Sequence, residues 1–92
     1  MYRVATTGKF RRDYQRAHKR GYDLDLIEAA IAQLAKDGTL PEKYRDHALT
    51  GRWKGKRECH IVPDWLLVYE IKKDILVLIL SRTGTHADIF KK

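Results

Sequence analysis

Two apolar rhythms succeed one another along this chain, and together they restrict its fold more than any other feature. Leu24, Ile27, Ile31 and Leu34 recur at helical spacing with Ala30 beside them, which marks one buried helix face. From Arg52 onward the pattern turns β. Trp65, Leu67, Tyr69 and Ile71 fall on one side of a strand over Asp64–Lys72, and Ile75–Arg82 is a nearly continuous apolar run. A chain of 92 residues has room for one modest core, so helix and strands must share it in a single domain over residues 1–92.

The remaining elements follow from local signals. Tyr2–Thr6, with aromatic and β-branched residues, reads as a short strand. Thr6 or Thr7 can cap a helix that starts near Gly8, runs to His18 or Arg20 and stops at Gly21. Phe10, Tyr14 and Ala17 form its apolar face, while Lys9, Arg12, Arg16 and Lys19 form a second stripe, either solvated or in contact with an anion. The second helix begins after Asp23, a good N-cap, and ends at Asp37-Gly38, where glycine suits a left-handed cap. Leu40–Gly51 reads as a loop, Arg52–Val62 as a strand, and Lys73-Asp74 as the tight turn between the last two strands. The tail from Thr83 is short. The order β-α-α-β-β-β predicts an α+β fold, with a two-helix hairpin packed on one face of a small twisted, mostly antiparallel sheet. The other face, or one end of it, is left open.

Nineteen Lys and Arg against twelve Asp and Glu give a formal net charge of +7, which favours an anionic partner: RNA, DNA, the ribosome or an acidic protein. No helix pairs a wide apolar face with basic flanks, so a membrane partner is not expected. The N-terminus lacks the apolar core of a signal peptide, and Ile75–Leu80 is too short to span a bilayer, which predicts a cytosolic protein. The single cysteine, Cys59, forms no internal disulfide or cysteine-based zinc cluster and reads as a small buried residue. No P-loop, dinucleotide-binding glycine motif or metal-ligand spacing is present, so neither metal nor cofactor is expected.

Histidine carries the chemical information. His18 sits among Lys and Arg in a helix and reads as surface. His47 precedes the last three strands, His60 lies in the first of them, and His86 follows the last; hairpin pairing can gather these three at one end. Imidazole gives or takes a proton near neutral pH. RNA carries its own nucleophile, the 2′-hydroxyl, so cutting it needs a base, an acid for the 5′-oxygen and positive charge near phosphorus. Asp64 could orient His60 across the Pro63 turn, or simply bond its own backbone. Arg82 could bind phosphate bidentately. Arg52, Lys54, Lys56 and Arg57, interrupted by Trp53, suit a nucleic-acid backbone, and on a strand Arg52, Lys54 and Lys56 would share one face. Phe90 could stack on a base or anchor the tail; Trp65 reads as core.

Asp46-His47 with Leu49 and Gly51, Trp53-Lys54-Gly55 with Arg57, His60 with Pro63-Asp64-Trp65, and Arg82-Thr83-Gly84-Thr85-His86 with Phe90 together resemble the YafQ family of the RelE/ParE toxin superfamily. The resemblance covers nearly the whole chain. It implies a RelE-like fold and a toxin of a type II toxin–antitoxin module that cuts mRNA in the ribosomal A site without a metal ion. It also implies an acidic antitoxin of the DinJ or RelB kind, whose complex alone would contact operator DNA. By resemblance, His47, His60, Asp64, Trp65, His86 and Phe90 belong to the active site and Arg82 is a phosphate ligand. Two other readings stand beside it: a non-catalytic RNA- or ribosome-binding protein, and a ParE-type gyrase poison, against which the histidine set argues.

Overall fold

The computed structural model describes residues 1–90. Strand β1 (Arg3–Thr6) leads into helix α1 (Gly8–Lys19), and helix α2 (Leu24–Asp37) follows. After a 3₁₀ turn come the two-residue strand β2 (His47–Ala48), a second 3₁₀ turn at Gly51–Trp53, strands β3 (Arg57–Val62), β4 (Trp65–Lys72) and β5 (Val77–Gly84), and the short helix α3 (His86–Phe90). The sheet order is β1-β5-β4-β3-β2, with β1 parallel to β5 and every other pair antiparallel. The predicted α+β architecture therefore holds. None of the described helices is long and apolar enough to cross a membrane.

Local chemistry explains the helix ends. Thr7 caps α1, its hydroxyl accepting from the Phe10 N–H at 3.0 Å and donating to the Ser81 carbonyl at 2.9 Å. The cap thus also fastens the helix to β5. Asp23 caps α2, and Gly38 closes it at φ 73°, a left-handed conformation that glycine adopts without penalty.

The sheet has two different faces. Trp65, Leu67, Tyr69, Cys59, Leu78 and Leu80 pack against Phe10, Ala17, Ile27 and Leu34 of the helix hairpin. Residues such as Tyr69 and Ile27 are fully buried, each contributing about 1.5–3 kcal/mol from area alone. The opposite face is only partly covered. There Leu66 and Val68 pack with Ile89 of α3, flanked by Leu49, Trp53 and Phe90. This second, smaller cluster explains why β4 reads as apolar on both sides.

Two expectations need correction. Arg52–Val62 is not one strand: Gly51 (φ 65°) and Gly55 (φ 94°) divert the chain into a turn, and β3 starts only at Arg57. Ile75 and Leu76 belong to an exposed turn rather than to the last strand. In the short tail, Thr85 and Asp88 bond reciprocally (Thr85 N–H to Asp88 at 2.9 Å, Asp88 N–H to Thr85 at 3.1 Å) and start α3.

Candidate active site

Strand pairing does gather the three histidines. His47 lies opposite Glu58, and His60 lies two residues further along β3 on the same face. α3 delivers His86 from above. The ring centroids of His47 and His60 are 6.4 Å apart and those of His60 and His86 6.3 Å, so the rings form one continuous set. Phe90, one turn on from His86, lies 5.9 Å from it. His18, read as surface from sequence, is exposed in α1 and takes no part.

Two backbone carbonyls fix the ring orientations. His47 Nδ1 is 2.9 Å from the Arg45 carbonyl, and His60 Nδ1 is 3.2 Å from the Pro63 carbonyl. A carbonyl oxygen only accepts, so each Nδ1 carries a proton and donates it. In the neutral rings, Nε2 is therefore the basic nitrogen. Arg45 holds its carbonyl in place at φ 53°, a left-handed conformation that costs a non-glycine residue roughly 1 kcal/mol or more. The role suggested for Asp64 goes instead to its neighbour: Asp64 is exposed in the turn, and Pro63 supplies the atom that orients His60.

The sequence reading missed Glu58. Its carboxylate is buried, with Oε2 3.2 Å from His47 Nε2 and 4.0 Å from His60 Nε2. Its Oε1 is also buried and has no hydrogen-bond partner. The signal was legible, because period-two alternation along β3 places Glu58 and His60 on one face.

An open cleft of about 940 Å³ shares Phe90 with the histidine set, although none of the three histidines lines it. Lys9, Arg52, Lys56 and Arg82 line it, together with Trp53 and Phe90, whose rings meet edge-on at 5.3 Å. Among the described residues, Lys9 and Arg52 have no carboxylate partner, while Lys56 pairs with Glu70 at 3.2 Å. Arg52 and Lys56 thus reach the same cleft from a turn, not from a shared strand face, and Lys54 is exposed at the end of that turn outside the cleft lining. Arg57 points to the helix side, bonded to Asp46 at 3.2 Å, and does not join them. Trp65 is buried in the main core, its indole N–H donating to Thr83 at 2.8 Å, so it has no free face for a base.

Arg82 owes its direction to a bulge. Tyr69 pairs with Leu80 but Val68 pairs with Arg82, leaving Ser81 as the extra residue. Leu80 and Arg82 consequently point to opposite faces. Asp13, nearly fully buried in α1, takes two bonds from Arg82 (2.7 and 3.2 Å), one from Arg16 and one from the Thr83 N–H. The Asp13 bond raises the Arg82 guanidinium further and keeps it cationic. Among the described residues one terminal nitrogen, Nη1, has no partner and is available to an anion in the cleft.

The family model for YafQ, a bacterial toxin of type II toxin–antitoxin systems, matches residues 2–91. The chain is 38% identical over 88 residues to the mRNA interferase toxin YafQ of Escherichia coli K12, covering 95% of this chain and 94% of that protein. It superposes on a crystal structure of the E. coli DinJ–YafQ complex with a TM-score of 0.89 at 35% identity, covering 98% of this chain and 99% of the other. A crystal structure of a metal-bound toxin from Helicobacter pylori gives a TM-score of 0.91 at 43% identity, covering 98% and 100%.

Proposed function

This chain belongs to the YafQ family of toxins from type II toxin–antitoxin systems, and from that premise we propose that it is an mRNA endonuclease whose histidines move the protons. The supporting observation is the continuous set of three imidazoles, joined through Phe90 to a cationic cleft. One imidazole removes the 2′-hydroxyl proton, the 2′-oxygen attacks phosphorus, the P–O5′ bond breaks, and another imidazole protonates the departing 5′-oxygen. The products are a 2′,3′-cyclic phosphate, which can open to a 3′-phosphate, and a 5′-hydroxyl. Arg82 Nη1, Lys9 and Arg52 offset the charge that builds on the phosphoryl oxygens. Phe90 and Trp53 offer aromatic surface to a neighbouring base.

The chemistry needs no metal ion, because the nucleophile belongs to the substrate and the proteins' own cations face the phosphate. The relative from H. pylori is metal-bound, so the point is open to a direct assay. The cleft is shallow and open, and we propose that the ribosome completes it by presenting mRNA in the A site. The partner that silences the toxin is an acidic, DinJ-like antitoxin, complementary to the net charge of +7; operator DNA is contacted through that complex. The site of action is the cytoplasm.

Replacing His60 or His86 by alanine should abolish growth arrest and mRNA cleavage, read by primer extension on translating ribosomes, with circular dichroism unchanged. Treating the toxin alone with EDTA, and removing the chelator before it meets the Mg²⁺-dependent ribosomes, should leave cleavage intact. Full activity in both variants, or inactivation by EDTA, overturns the mechanism.

A further inference from the structure

Buried carboxylates in this molecule follow a rule that one of them breaks. Asp13 has two arginines and a backbone N–H; Asp46 has Arg57 and the Tyr69 hydroxyl; Asp88 has Arg20 and Thr85. Each is neutralised by a permanent cation. Glu58 is about as buried as Asp13, yet among the described residues its only neighbours of opposite charge are two imidazoles, and its Oε1 has no donor. An ionised carboxylate so placed is costly unless a counter-charge is supplied. Here the counter-charge is conditional, present only when an imidazole holds two protons.

We propose that Glu58 is a positioning residue that stabilises the imidazolium formed when His47 or His60 takes up the 2′-hydroxyl proton. This rests on the histidine mechanism above. Both Nδ1 atoms already donate to carbonyls, so the incoming proton must go to Nε2, the atom nearest Glu58 in each ring. The O–H bond of the 2′-hydroxyl breaks, its proton joins Nε2, and a positive ring forms against a carboxylate that has been waiting without a partner. Once the remaining imidazole has protonated the 5′-oxygen, the base returns its proton to solvent, the acid takes one up from solvent, and the site is restored.

The surroundings direct this field at the histidines. Across the sheet Glu58 faces Val68, which carries no charge, and the next residue in that row, Arg82, is committed to Asp13. Further along β4, Glu70 is paired with Lys56 and Lys72. On the opposite face, Asp46 is paired with Arg57. On α3, His86 lies beyond His60. No permanent cation among the described residues lies within ion-pair distance of Glu58.

The test uses Glu58→Gln, which keeps the shape and removes the charge, and Glu58→Asp, which keeps the charge. With ribosome-bound mRNA, Glu58→Gln should slow the cleavage step by about 10- to 100-fold and leave KM within about twofold. Its pH–rate profile should move its acid limb to lower pH, and Glu58→Asp should recover part of the loss. Antitoxin binding should be unchanged. Wild-type cleavage and an unaltered profile in Glu58→Gln overturn the proposal, as does equal loss in Glu58→Asp with both variants folded. The two readings fail separately. An inactive His60→Ala with a fully active Glu58→Gln removes Glu58 alone; an active His60→Ala with an active His86→Ala removes the mechanism beneath it.

Discussion

The short helix that carries His86 and Phe90 cannot hold itself together. At five residues it lies far below the length at which an isolated helix is stable, so its position depends on what fastens it. The longest-range fastening is Arg20, at the end of α1, which bonds both oxygens of Asp88 at 2.7 and 3.1 Å from 68 positions away. Arg20 keeps more than a third of its side chain in solvent, whereas Asp88 is mostly enclosed. Exposed pairs are worth up to about 1 kcal/mol, and two-point geometry on a half-enclosed carboxylate puts this one near the top of that range. Arg20→Ala should therefore cost about 1 kcal/mol, a factor of about five in how often α3 opens. Asp88→Ala also removes the Thr85 cap and should cost about 2 kcal/mol. The assay is native-state hydrogen exchange at the Ile89 amide, which bonds to the Thr85 carbonyl. Arg20→Ala should lower its protection about fivefold and leave amides of β4 unchanged. Acid gives a second arm. Arg20, and then the Thr85 N–H and hydroxyl, hold the Asp88 carboxyl well below the usual range against the effect of burial. A carboxylate depressed by folding adds stability above its unfolded value of about 3.9 and loses it as pH falls toward the folded one. Protection at Ile89 should thus drop in acid more steeply in the wild type than in Arg20→Ala. A change spread evenly over the sheet, or no coupling between the two substitutions in a double-mutant cycle, would refute the idea that this pair seats the helix.

Other substitutions probe the supports of the cleft. Asp13→Ala strands Arg82, whose side chain is 15% exposed, and should cost about 3–5 kcal/mol in urea unfolding; a cost under about 1 kcal/mol would mean that water replaces the carboxylate. Gly38→Ala combines φ 73° with a β-carbon only 2.9 Å from the Tyr2 ring, and should cost more than about 1 kcal/mol in the same assay. Cys59 is fully buried, which pushes its thiol far up. Iodoacetamide at neutral pH should label it only when the chain unfolds, and rapid labelling of the native protein would contradict that burial.

What the sequence disclosed was whatever a few neighbouring residues decide. Thr7, Asp23 and Gly38 mark helix ends because each acts within four residues. The faces of α2 and β4 follow from their periods. Arg52–Lys56 looks like a strand in sequence because basic and aromatic residues alternate there as they do in strands, whereas the glycines at 51 and 55 are the local cue for the turn that forms. α3 announces itself through Thr85 and Asp88, spaced as a cap, but its brevity hid it.

The rest was out of reach for a physical reason. Arg82 carries no mark of being bound to Asp13, nor Asp88 of being bound to Arg20, since these partners are 69 and 68 residues apart. Only the parallel placement of β1 against β5, with α1 packed beside them, brings the N-terminal half to the site. That half holds none of the motif residues, yet Asp13 aims Arg82 and Arg20 braces the helix of His86. In the proposed mechanism the motif side chains, with Lys9 and Arg52, supply the groups that meet RNA. Their placement is determined by charges that no local pattern reveals, and substitutions of Asp13 or Arg20 should therefore reach the chemistry without touching the substrate.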